Sequence, residues 1–153
     1  MEEYNNEKYM VLENVENLFK RINRFGNEYN YCFGTFKPKS LLPIVLGAVG
    51  GLIEVAKQKN NISGYFVNKN ENEICLIPVI LDDHRVMRID INGYIDIKPE
   101  EIKKIKIKNE DFIYKRITII LNDGTKYIMN SAKKVKGANY HQENLNKFIE
   151  IYK

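Results

Sequence analysis

Residues 114–130, Tyr114-Lys115-Arg116-Ile117-Thr118-Ile119-Ile120-Leu121-Asn122-Asp123-Gly124-Thr125-Lys126-Tyr127-Ile128-Met129-Asn130, decide the fold. Ile117, Ile119 and Leu121 recur at every second position, the period of a strand with one buried face. Asn122-Asp123-Gly124-Thr125 is rich in residues that tolerate tight-turn backbone angles, and residues 126–130 then pair back along the strand. The stretch is a β-hairpin, and the period-two signal continues on its N-terminal side. In residues 102–108, Ile105 and Ile107 point one way and Lys104, Lys106 and Lys108 the other, which predicts a half-buried strand with a lysine-covered outer face.

Further upstream, residues 64–67, 73–81 and 86–91 read as strands separated by polar turns at 68–72 and at Asp82-Asp83-His84. Asn92-Gly93 is a hairpin signal, with strand continuing through Tyr94 to Ile97. Residues 29–36 are an aromatic-rich first strand, broken by Lys37-Pro38-Lys39-Ser40. Residues 41–58 form an apolar, glycine-containing stretch whose second half is predicted helical. Two amphipathic helices complete the chain. Val11, Val15, Leu18, Ile22 and Phe25, widened by Leu12 and Phe19, form the first stripe, and Gly26-Asn27 is the predicted helix end. This stripe must bury itself against the main domain or against a second copy. Leu145, Phe148, Ile149 and Tyr152 form the second stripe. The predicted organisation is an N-terminal helix over residues 1–26 and a mainly β domain, α+β overall, over residues 27–153. A helical insertion falls at about 40–58, and a capping helix closes an antiparallel bent sheet or barrel, since closure removes exposed edges.

The succession of Gly64-Tyr65-Phe66-Val67, then Pro99-Glu100-Glu101-Ile102-Lys103-Lys104-Ile105, then Ile117 to Tyr127 and the closing helix resembles bacterial pleckstrin-homology-like (PH-like) domains. Some bacterial members are also similar in placing a glycine-rich apolar stretch after the first strand, as at Leu46-Gly47-Ala48-Val49-Gly50-Gly51-Leu52. The resemblance covers residues 29–153. It implies a seven-stranded, strongly bent sheet with the last helix plugging one end, and a binding or assembly module rather than an enzyme. It does not carry over lipid recognition. Phosphoinositide-binding members use a basic pattern in the first hairpin loop, which the apolar insertion replaces here. The tryptophan common in the closing helix of eukaryotic members is also missing.

Composition bounds the function. The chain has 153 residues, 44% hydrophobic and 29% charged, which suits one folded domain with a buried core. Met1 to Lys8 is polar and acidic, unlike a secretory signal, so a cytoplasmic protein with Cys32 and Cys75 as free, buried thiols is expected. The longest uncharged run, residues 40–53, is 14 residues, short of the roughly 20 needed to span a bilayer. The net charge of +4 is uneven, +6 from Lys98 onward and −2 before it. A basic half suits an anionic partner, lipid or nucleic acid, while lysine on an edge strand also blocks sheet-to-sheet aggregation.

Candidate chemistry is sparse. Gly47-Ala48-Val49-Gly50-Gly51 lacks the spacing and βαβ context of a dinucleotide-binding turn. Asp82-Asp83-His84 and His141 do not form a metal-ligand cluster, and no cofactor is expected. Glu2-Glu3, Asp82-Asp83 and Glu100-Glu101 flank turns or termini, where charge is solvated, so a catalytic pair is not expected. The expected function is a non-enzymatic interaction module whose partner is another protein or the chain itself, with self-association through the N-terminal helix or the insertion. An anionic-surface binder acting through the basic C-terminal half is the alternative. The candidate interaction residues are Leu42, Ile44, Leu46 and Leu52 on the apolar segment and Lys104, Lys106, Lys108 and Arg116 on the basic one. The apolar segment either fills the mouth of the sheet or presents a patch to a partner.

Overall fold

The computed structural model of the chain describes residues 11–24, 31–35, 62, 64–82, 85–109, 112–134 and 138–152, with residues 31–35, 81–82 and 85–87 described by backbone alone. Helix α1 (Leu12–Arg21) precedes strands β1 (Tyr31–Thr35), β2 (Gly64–Lys69), β3 (Ile74–Asp82), β4 (Arg85–Ile89), β5 (Ile95–Ile97), β6 (Ile102–Asn109), β7 (Tyr114–Leu121) and β8 (Lys126–Ala132). Helix α2 (His141–Ile151) follows. The protein is mainly β, and its strand ladders are all antiparallel among the described residues. Seven strands run in the order β4-β3-β2-β1-β8-β7-β6, and β5 is an eighth that pairs only with β3.

The hairpin at 114–130 forms as the sequence predicts. Gly124 takes φ of +90°, which a residue without Cβ adopts without strain, and Leu121 N–H donates to the Thr125 carbonyl at 2.8 Å. A register shift between Ile102 and Lys104 bulges β6. The extra residue keeps Ile102, Ile105 and Ile107 all packed on the interior despite their uneven spacing.

Among the described residues no ladder joins β6 to β4 or β5, so the sheet is bent and open rather than a closed barrel. Tyr65 and Val67 of β2, Ile74 and Leu76 of β3, Ile97 of β5, Ile117 and Ile119 of β7, and Met129 of β8 bury in one cluster with Leu145 and Phe148 of α2. The helix fills the interior that strand-to-strand closure would otherwise have to seal.

The sheet carries a second core on its other face. Phe66, Cys75, Ile77 and Val79, the alternate residues of β2 and β3, bury on the opposite face against Val15, Leu18 and Phe19 of α1. The centre of the sheet is therefore covered on both sides. This explains why residues 74–81 are a nearly unbroken apolar run instead of an alternating one. It also settles where the first helical stripe goes: its centre packs within the chain, while Val11 at the helix start stays 44% exposed.

Two local expectations are corrected. The helix ends at Arg21, and two residues on Asn23 takes φ of +55°, the left-handed conformation that asparagine tolerates, with Arg24 N–H donating to the Phe19 carbonyl at 2.8 Å. Phe25, Gly26 and Asn27 lie outside the described residues. Asn92-Gly93 forms no hairpin. Among the described residues only Asn23 and Gly124 have positive φ, whereas the tight Asn-Gly hairpin turn needs it at both central positions. Instead β4 and β5 lie end to end along β3, joined by a 3-10 turn over Ile91–Gly93 in which Gly93 N–H donates to the Asp90 carboxylate at 3.1 Å. The break faces Pro78. Its carbonyl accepts from Asp90 N–H at 2.9 Å, and a proline has no N–H to continue the ladder beside it.

The link after α1 is fastened by charge. The Arg24 guanidinium bonds the Asp96 carboxylate on β5 through Nε and Nη2 at 3.0–3.1 Å, and its Nε lies 3.2 Å from Glu73. The buried Asn68 amide donates to the Arg24 carbonyl at 2.7 Å. The hydrogen bond it donates to Asp96 raises the Arg24 pKa above its ordinary value. The insertion predicted at 40–58, with Leu42, Ile44, Leu46 and Leu52, lies outside the described residues.

Candidate anionic-surface interface

In the β6-β7-β8 half, cross-strand partners are Lys108, Arg116 and Asn130 in one row, and Lys106, Thr118 and Ile128 in the next. Lys104, Ile120 and Lys126 make the third. Directly opposed residues of antiparallel strands point to the same face. Lys104, Lys106, Lys108, Arg116 and Lys126 therefore share the outer face of this half, and none of the nine residues in these rows is acidic. Lys104, Lys106 and Lys108 are exposed, and Arg116 and Lys126 are half-buried. The structure thus brings all four basic candidates onto one surface and adds Lys126, which its place across the hairpin from Ile120 identifies.

Two demands compete for these lysines. β6 ends the strand order, and lysine on such an edge discourages pairing with another sheet. Arg116, paired with Lys108 on one side and Asn130 on the other, is not covered by that account. Arg116 sits on β7, between β6 and β8, and Lys126 sits on β8, which pairs with β7 there and with β1 at Asn130. Lys108 and Arg116 are moreover directly opposed like charges, an arrangement that weakens a sheet. A face that gathers five cations against this electrostatic cost suits an anionic ligand.

The neighbouring end of the same half carries a second feature. Phe112 is 96% exposed and Ile113 60%, in the connection between β6 and β7. Lys133 N–H donates to the Ile113 carbonyl at 2.8 Å, which sets Lys133 and Lys134 beside that tip. Sequence reading missed the pair. Two adjacent apolar residues following Glu110-Asp111 between two strands were the available signal.

No protein-family model matches the chain, and no curated protein matches it.

Cys75, His141 and Glu101 are held in structural positions. Cys75 is buried opposite Asp96, and burial, with the carboxylate adding to it, pushes the thiol pKa far above its ordinary value, so it stays protonated and unreactive. Ser131 Oγ lies 3.3 Å from His141 Nε2, a contact between β8 and the first residue of α2 that sequence reading did not foresee. The same nitrogen lies 2.6 Å from the Ala132 carbonyl. A carbonyl only accepts, so Nε2 carries hydrogen and has no lone pair with which to take the Ser131 proton. The contact joins the end of β8 to the start of α2. Glu101 is exposed, and its carboxylate accepts from Lys98 N–H at 2.8 Å within the 3-10 turn Pro99–Glu101. Among the described residues no group of three or more His, Cys, Asp or Glu side chains is placed to hold a metal, and no helix is long and apolar enough to cross a membrane. Asp83 and His84 lie outside the described residues.

Burial lowers the His141 pKa below its ordinary 6.5, against the opposing pull of its bond to Ala132. Below that value the unfolded chain takes up a proton that the folded chain resists, so stability falls as pH drops below 6.5. His141→Gln keeps a donor for the Ala132 carbonyl and has no proton to gain. The expected result is a flatter stability profile between pH 7 and 5, read by urea denaturation at each pH. A variant profile as steep as the wild type's would rule out His141 as the cause.

Proposed function

We propose that the chain is a non-enzymatic PH-like binding module whose working surface is the outer face of β6, β7 and β8, and that its partner is an anionic surface. One observation carries the reading: Arg116, on the interior strand β7, shares that face with Lys104, Lys106 and Lys108, and protection of the β6 edge does not account for a cation there. The PH-like part is supported by seven strands in one bent path and by a last helix whose Leu145 and Phe148 enter its interior. The non-enzymatic part is supported by the chemistry of the buried groups, a histidine already donating to a carbonyl and a thiol held protonated. Self-association through α1 gains no support, because Val15, Leu18 and Phe19 are buried within the chain.

The test is retention on immobilised heparin, a polyanion without bilayer or bases. The protein is expected to bind at low salt and to elute as ionic strength screens the face. Passage straight through at low salt would overturn the proposal.

A further inference from the structure

We infer that the anionic surface is a lipid bilayer, and that the protein docks end-on with Phe112 and Ile113 inserted between headgroups. The inference rests on the basic-face reading and adds to it the tip between β6 and β7. At 96% and 60% exposure these side chains hold apolar area in water. Lys108 closes one side of the tip at the end of β6, and Lys133 and Lys134 close another through the Ile113–Lys133 backbone bond. An apolar point with a lysine collar matches the layering of an anionic bilayer, hydrocarbon beneath negative headgroups. A nucleic acid would take Phe112 by stacking on a base but has nothing to offer Ile113. Glu110 and Asp111 immediately precede the tip in the chain, so insertion depends on the collar outweighing them. Lys104 stands four residues back from Lys108, roughly 14 Å along the strand, beyond the screening length of about 8 Å at physiological salt. End-on docking therefore weights Lys108, Lys133 and Lys134 above Lys104 and Lys126.

The chain has no tryptophan, so Phe112→Trp places a single reporter at the tip. On adding phosphatidylserine/phosphatidylcholine vesicles at low salt, its emission is expected to shift to shorter wavelength and to be quenched by lipid-borne quenchers. Heparin is expected to produce neither change. The double variant F112A/I113A should bind the same vesicles about tenfold or more weakly. Its heparin retention should match the wild type's, which also shows that it folds. Vesicle binding without a spectral shift would overturn insertion. Binding to heparin or duplex DNA but not to vesicles would overturn the lipid assignment and leave the basic face standing. Binding to none of these anions would overturn both.

Discussion

Phe19→Ala is expected to cost about 3–5 kcal/mol of stability, a large share of what holds a domain of this size together. Phe19 is fully buried between α1 and the β2-β3 pair, in a cluster with Phe66, Cys75, Ile77 and Val79. Deleting its ring removes both the transfer energy of a large apolar side chain and the packing of the atoms it touches, and a sheet held on its other face by a second core has little freedom to collapse into the gap. Val11→Ala, on the same helix but at its exposed start, should change stability by no more than about 0.5 kcal/mol. Urea denaturation of both variants reads the contrast. A Phe19→Ala variant within about 1 kcal/mol of wild type would mean that α1 is not docked on the sheet.

The second large effect is on binding. K104E/K106E/K108E reverses three charges on one strand face and should abolish heparin retention, with more than a hundredfold loss of affinity at about 1 kcal/mol per lysine removed. Stability should move the other way or not at all. The Lys108→Glu change sets a carboxylate across the ladder from Arg116 and replaces a repulsion with an attraction of a few tenths of a kcal/mol. Glutamate also keeps charge on the edge strand, so the variant should stay as resistant to aggregation as the parent. A variant at least as stable but unable to bind is the signature of charges held for a ligand. Retention equal to wild type would assign these lysines to edge protection alone.

How much of this was legible in the sequence depended on whether a signal was local. The hairpin at 114–130 and the alternation of Ile105 and Ile107 with lysine carry their own period, and the structure places them as read. The stripe of α2 was equally plain, and Leu145 and Phe148 are buried. The double-sided burial of β2 and β3 was not read, although the apolar run through Ile74, Cys75, Leu76 and Ile77 states it: a strand covered on both faces loses its alternation. Pro78 was passed over within that run, and with it the reason for the break between β4 and β5. Asn92-Gly93 misled because a dipeptide suited to a tight turn carries no information about the strand it faces; Pro78, remote in sequence, decided the outcome. On the basic face, the lysines of β6 were visible from alternation alone. Lys126 required the register across the Gly124 turn, and the exposure of Phe112 and Ile113 required knowing that nothing described folds back over them.

The most direct measurement is an amide-shift titration of isotope-labelled protein with a soluble heparin oligosaccharide, followed residue by residue in nuclear magnetic resonance spectra. The expected result is that shifts concentrate on Lys104, Lys106 and Lys108 of β6, Arg116 of β7 and Lys126 of β8, and leave α1 and the β3–β5 ladder unmoved. Shifts centred on α1, on Arg24 and its acidic neighbours, or absent throughout would contradict the assignment of the β6-β7-β8 face as the binding surface.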